Sequence, residues 1–108
     1  MKLSVYVITL DEEERLENTL KAAAQVADDI LVVDSGSRDG TEEIARKYGA
    51  RFIFNKWKNI SSQKQYAQNA CLYDWVLSLD ADEVLSLGLI AEIKDIKKNS
   101  RQLKPKHL

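Results

Sequence analysis

The chain has 108 residues, 44% of them hydrophobic, with 16 Lys+Arg against 17 Asp+Glu and a formal net charge of -1. That is one compact domain burying about 65% of its unfolded surface, not a disordered chain. Cys71 is the single cysteine, which excludes an internal disulfide framework and a cysteine-cluster metal site.

No apolar stretch approaches the roughly 20 residues of a membrane helix. The first ten residues do not read as a signal peptide, so the expected compartment is the cytoplasm. The charge is unevenly spread: residues 94–108 carry 6 Lys+Arg and 1 Asp. The remaining acidic body does not suit nucleic acid. The basic end offers either contact with an anionic membrane surface or a solvated helix end.

Leu3, Val5, Val7 and Ile8 predict a first strand, nearly continuous in apolar character as in a strand covered on both faces. Leu16, Leu20, Ala23 and Ala27 recur at helical spacing and predict a helix over Glu12–Ala27, with Glu13, Glu14, Glu17 and Lys21 on its wet side. Ile30–Val33 reads as a second strand, Thr41–Tyr48 as a helix stopped by Gly49, and Arg51–Phe54 as a third strand. A polar stretch around Asn55–Asn59 leads into a helix over Ser61–Cys71, packed through Ala67, Ala70 and Cys71. Trp75–Leu79 is the fourth strand. Leu87–Asn99 is the last helix, packed through Leu89, Ile90, Ile93 and Ile96. Four strands alternating with four helices predict an α/β fold: a mostly parallel four-stranded sheet with helices on both faces. Residues 1–99 form that domain, and 100–108 a basic tail that frays.

Ligands of open α/β sheets gather outside the carboxyl ends of the strands. Thr9, Leu10, Asp11 and Glu12 follow the first strand, Asp34, Ser35, Ser37 and Asp39 the second, and Asp80, Asp82 and Glu83 the fourth. Asp80-Ala81-Asp82-Glu83 suits a hard divalent cation, Mg²⁺ or Mn²⁺, which takes oxygen ligands and keeps waters and substrate phosphates. It equally suits an acidic turn capping the next helix. The Asp34–Thr41 loop has neither GxGxxG nor Gly-Lys-Ser/Thr. Asp34 or Asp39 there accepts from ribose hydroxyls or a base N–H, or else caps a helix with no ligand. Lys64 faces a phosphate or is solvated. Trp57 is a lid, a partner contact or packing, while Phe52, Phe54 and Trp75 are assigned to packing or an interface. Cys71 reads as packed, and His107 has no catalytic neighbours.

Four segments taken together carry a family resemblance: Leu3 to Glu13 (LSVYVITLDEE), Val32 to Thr41 (VVDSGSRDGT), Gln63 to Ala67 (QKQYA) and Asp74 to Glu83 (DWVLSLDADE). Their order and placement resemble the N-terminal part of a family 2 glycosyltransferase, in the bacterial subgroup that extends lipopolysaccharide core and related glycans. The resemblance implies a truncated GT-A (Rossmann-like) domain. It places Thr9, Asp11 and Glu12 at the nucleotide pocket, with the backbone of Thr9 and Leu10 near the base. Asp34 and Asp39 become nucleotide-contacting acids, and Lys64 a basic residue facing the pocket. Asp80 is the first DxD aspartate, near ribose and metal shell, and Asp82 the second, ligating metal beside the diphosphate. The implied reaction transfers sugar from a nucleotide-diphosphate sugar to a glycan or lipid-linked acceptor, with Mg²⁺ or Mn²⁺.

Two positions depart from the family pattern: Asp11 and Gln65 stand where the family often has Asn. The family's catalytic domain also continues well beyond this length and supplies the general base, a role assigned to no residue here. The expectation is donor binding with little transfer by this chain alone, an exposed sheet edge and self-association. The alternative is a non-catalytic nucleotide-sugar-binding or partner-binding remnant. Asp80 and Asp82 also resemble a phosphatase nucleophile and acid, but a position after the fourth strand, with one helix to follow, opposes that reading.

Overall fold

A computed structural model describes residues 1–99, so the expectations for the 100–108 tail and His107 lie outside the described residues. The elements run β1 (Leu3–Thr9), α1 (Glu13–Ala23), β2 (Asp29–Asp34), α2 (Thr41–Lys47), β3 (Arg51–Phe54), α3 (Ile60–Ala70), β4 (Trp75–Asp80) and α4 (Leu87–Lys98). The strands lie in the order β3-β2-β1-β4, and every pairing is parallel.

That order decides where a site can form. From β1 the chain steps outward through β2 to β3, then returns to the other side of β1 as β4. The order therefore reverses between β1 and β4, and flanking loops leave that point in opposite directions and open a crevice. Register sets the neighbours there: Ile8 pairs with Asp80, and Thr9 with Asp34.

The pleat sends alternate β1 side chains to opposite faces. Leu3, Val5 and Val7 join Leu16, Leu20, Ala45, Ile90 and Ile93 in the core under α1, α2 and α4. Tyr6 joins Leu31, Val33, Val76 and Ala67 under α3. Helices thus cover both faces, three on one side and one on the other.

Helix ends follow local chemistry. α1 stops at Ala23, short of the expected Ala27, because the next residues turn back: Ala27 donates to the Ala23 carbonyl and Asp28 to that of Leu3, steering the chain into β2. α3 begins one residue early because the Asn59 side chain caps it, accepting from the Ser62 amide at 2.8 Å. Ser86 caps α4 in the same way, through the Leu89 amide at 3.1 Å.

Two packing expectations need correction. Phe54 is 62% exposed, because it ends β3, the edge strand, with no helix above it. In α4 only Ile90 and Ile93 are buried, while Leu89 lies on the outer side and Ile96 is half-buried.

The amino end of the sheet is locked by a buried charge. Arg51 grips Asp29 with two bonds, Nε to Oδ1 at 2.9 Å and Nη2 to Oδ2 at 3.0 Å. Ser4 Oγ donates to Asp29 Oδ2 at 2.7 Å, and the Leu72 amide at 3.0 Å. Arg51 Nη2 also donates to the Ala70 carbonyl at 2.9 Å. This joins β1, β2, β3 and the α3–β4 connection at the end opposite the crevice. No helix among the described residues is long and apolar enough to cross a membrane.

Candidate functional site

The crevice between β1 and β4 is a cleft of about 520 Å³ whose walls include Thr9, Leu10, Glu12, Ser35, Asp80 and Asp82. Asp80 and Asp82 are exposed, and their carboxylates make no hydrogen bond or ion pair with other described residues. The loop that carries them is held by other groups. Glu83 Oε1 accepts from the Asp80 amide at 3.1 Å, the Glu83 amide donates to the Asp80 carbonyl at 3.0 Å, and Thr19 Oγ1 donates to the Ala81 carbonyl at 2.6 Å.

No group of three or more His, Cys, Asp or Glu side chains among the described residues could hold a metal ion alone. The two exposed carboxylates of Asp80 and Asp82 fit Mg²⁺ or Mn²⁺, ions bound by one or two carboxylates plus waters and substrate phosphates.

The loops after β1 and β2 are sewn together by their own acids. Buried Asp34 accepts from Thr9 Oγ1 at 2.8 Å and from the Ser37 hydroxyl through Oδ1. Its Oδ2 accepts from the Gly36 amide at 2.9 Å and the Ser37 amide at 2.7 Å. Burial alone would push this carboxyl's pKa up, but those four donors outweigh it and hold the pKa below the ordinary value. The turn needs Gly36, whose φ of 123° is closed to a side chain.

Asp39 accepts from the Thr41 amide at 3.0 Å and the Glu13 amide at 3.2 Å. The Glu12 amide donates to Thr41 Oγ1 at 2.9 Å, and the Gly40 amide to Glu13 Oε2 at 2.6 Å.

Asp11 completes the seam. Its amide donates to Ser37 Oγ at 2.7 Å, and its Oδ1 accepts from the Arg38 amide at 2.8 Å. Its φ of 52° is left-handed, where Asn and Asp are the most tolerated residues after glycine. Asn would supply the same acceptor and backbone, so Asp11→Asn should leave thermal unfolding nearly unchanged. Asp11→Val, which loses both, should cost about 1–3 kcal/mol in urea unfolding.

The acids expected to converge are therefore sorted. All lie on one edge of the sheet, but only Asp80 and Asp82 line the cleft, with Thr9, Leu10 and Glu12. Asp11 and Asp39 border a neighbouring depression with Glu13 and Glu14, and Asp34 lies buried. Lys64 is exposed on α3 and is not among the residues lining the cleft. The Cys71 thiol is pushed up to about 11, by burial first and then by the Asp29 charge, so it stays protonated and unreactive.

Arg15 lines the cleft and Gln63 braces a loop in its wall, though the sequence alone pointed to neither. Arg15 lines the cleft and pairs with Glu12 at 2.9 Å, three residues before it; that helical spacing was a readable signal. Buried Gln63 brackets Asn55, accepting from its side-chain amide at 2.8 Å and donating to its carbonyl at 3.1 Å. This fixes the start of the loop carrying Trp57, which is 48% exposed and stands in the cleft wall. A buried glutamine on the same helix face as Ala67, four residues on, was the available signal.

Residues 4–99 match the glycosyl transferase family 2 model. An uncharacterised glycosyltransferase of Rickettsia conorii is 40% identical over 95 residues, covering 88% of this chain and 34% of that protein. The lipopolysaccharide core biosynthesis glycosyltransferase LpsC of Rhizobium meliloti is 35% identical over 94 residues, covering 82% of this chain and 34% of that protein. This chain thus spans about a third of the length of these curated relatives. Among solved structures, glucosyl-3-phosphoglycerate synthase of Mycobacterium tuberculosis, in complex with Mn²⁺, UDP and glucosyl-3-phosphoglycerate, has a TM-score of 0.65 at 26% identity, over 74% of this chain and 33% of that one. Staphylococcus aureus TarS in complex with UDP has a TM-score of 0.68 over 93% of this chain and 33% of that one; at 24% identity it shows a shared fold. The family match runs through all four strands and both sewn loops, so the chain belongs to glycosyl transferase family 2 and carries a part of the GT-A fold.

Proposed function

We propose that this chain binds a nucleotide-diphosphate sugar through Mg²⁺ or Mn²⁺ held at Asp80 and Asp82, as the donor side of sugar transfer to a glycan or lipid-linked acceptor. The observation that carries this reading is two uncommitted carboxylates, two residues apart, at the cleft where the strand order reverses. The cleft's charged walls are Glu12, Asp80 and Asp82 against Arg15, a balance that repels a bare diphosphate. A bound divalent cation would supply the charge neutralisation that the departing nucleoside diphosphate needs. The sewn loops hold Thr9, Leu10 and Ser35 as a rigid wall beside it.

Calorimetry with UDP and Mn²⁺ tests this. Outer-shell partners of a metal are worth about 10- to 100-fold in affinity, and a direct ligand at least as much. Asp82→Ala should therefore weaken Mn²⁺-dependent UDP binding by at least about tenfold. Equal affinity in both proteins would remove metal-bridged recognition.

Trp57 provides a second readout. Trp75 is buried in the sheet, so a fluorescence change on adding UDP and Mn²⁺ reports Trp57. Trp57→Ala should abolish that change and weaken binding about 2- to 10-fold.

Glu12 is ion-paired with Arg15, and this reading commits Asp80 and Asp82 to the cation. The acceptor's general base is therefore assigned to no described residue, and the purified chain is expected to bind donor with little or no transfer. A cytoplasmic location belongs to the same proposal, as does contact of the Lys- and Arg-rich sequence 94–108 with an anionic membrane face. Self-association through an exposed sheet edge is a further part of the proposal, which light scattering would detect.

A further inference from the structure

We propose that Thr19, in the middle of α1, is a positioning residue that sets the direction of the Asp80-Ala81-Asp82 loop for the cation; this rests on the metal-bridged donor reading above. Thr19 is fully buried. Its hydroxyl proton goes to the Ala81 carbonyl at 2.6 Å, the Arg15 carbonyl of its own helix lying at 3.5 Å. Ala81 is itself buried, and its carbonyl belongs to the peptide that joins Ala81 to Asp82. Rotating that peptide re-aims Asp82.

The acids cannot hold their own loop, because their carboxylates bond to no described residue. The remaining side-chain tether, Glu83 to the Asp80 amide, is exposed. Thr19 is the buried one. It sits on a helix whose first turn is clamped to the β2–α2 loop and the first residue of α2 through the Glu12 and Glu13 amides and the Glu13 carboxylate. α1 is thus a strut. One end registers on the sewn loops, and about two turns later Thr19 registers the acidic loop, so both cleft walls keep a constant separation.

The role separates cleanly from packing. Thr19→Val keeps the shape and loses the hydroxyl, whereas Thr19→Ser keeps the hydroxyl and loses a core methyl. A hydrogen bond of this kind is worth about 3- to 10-fold in an equilibrium. In the full chain, Thr19→Val should weaken UDP binding in Mn²⁺ by that factor, leave UDP binding without metal unchanged, and lower the urea midpoint, because it leaves the buried Ala81 carbonyl without a donor. Thr19→Ser should unfold earlier yet bind within about twofold of wild type. Amide exchange at residues 81–83 should accelerate in Thr19→Val and not in Thr19→Ser.

Should the valine variant fail to fold, Thr19→Ala against Thr19→Ser isolates the same oxygen. Wild-type binding in Thr19→Val, or affinity that follows stability across the series, would overturn the proposal. Wild-type protein with no Mn²⁺-dependent UDP binding would instead overturn the donor reading, and this inference with it. The exchange measurement would still report whether the hydroxyl holds the loop.

Discussion

Asp34→Ala should lower the unfolding free energy by about 3–4 kcal/mol, a large share of the 5–15 kcal/mol typical of a domain. The carboxylate accepts from two hydroxyls and two backbone amides, the Thr9 bond buried and the other three partly buried, and alanine removes the acceptor of all four. Asp34→Asn should cost only about 1 kcal/mol. Its oxygen can take the Gly36 and Ser37 amides while its NH₂ turns to the two hydroxyls, which then accept. Urea midpoints of the three proteins check this; equal losses for Ala and Asn would mean that the charge, not the acceptor geometry, holds the loop.

The same carboxylate fixes a pH dependence. Its folded pKa lies below the unfolded value, so its stabilisation is complete above the unfolded pKa, near 3.9, and is lost as pH falls through the folded value. Asp34→Asn should therefore show a shallower loss of stability as pH falls below about 4. Because Thr9 and Ser35 stand in the cleft wall, Asp34→Ala should weaken UDP binding too.

Asp29→Ala should be as damaging, about 3–5 kcal/mol, and yet spare the site. It leaves Arg51 without its bidentate partner and strips the Ser4 hydroxyl and Leu72 amide of their acceptor. Burial would raise the Asp29 pKa, but Arg51, the Leu72 amide and the Ser4 hydroxyl together lower it, so this lock also weakens in acid. All these bonds lie at the amino end of the sheet. The folded fraction of Asp29→Ala should therefore bind UDP and Mn²⁺ within about twofold of wild type, as expected for well-separated sites. Donor binding lost together with stability would show that the two ends are coupled. The Asp34 and Asp29 substitutions thus separate a carboxylate that shapes the cleft from one that only supports the scaffold.

The elements were legible in the sequence because their signals are local. Alternation or continuous apolar runs mark strands, three-to-four-residue spacing marks helices, and the four βα units follow. Misplaced ends came from contacts that periodicity does not carry, such as the Asn59 cap and the turn after Ala23. The place of Asp80 and Asp82 at the carboxyl edge was legible because acids at the end of a buried strand stand out. The loop hydrogen bonds of Asp34 and Asp39 were not, since an aspartate facing a ligand and one facing the amides of its own loop look alike in the chain.

By itself the sequence determined four βα units, a parallel sheet and acids gathered at its carboxyl edge. Composition and hydrophobic period act over a few residues and specify each unit almost independently. Only the tertiary structure decided that the strand order reverses between β1 and β4, that Asp34 is consumed inside the protein, and that Thr19 reaches the Ala81 carbonyl. Each of these depends on which distant segments share a hydrogen bond once helices have packed on both faces, a geometry encoded by no local run of residues.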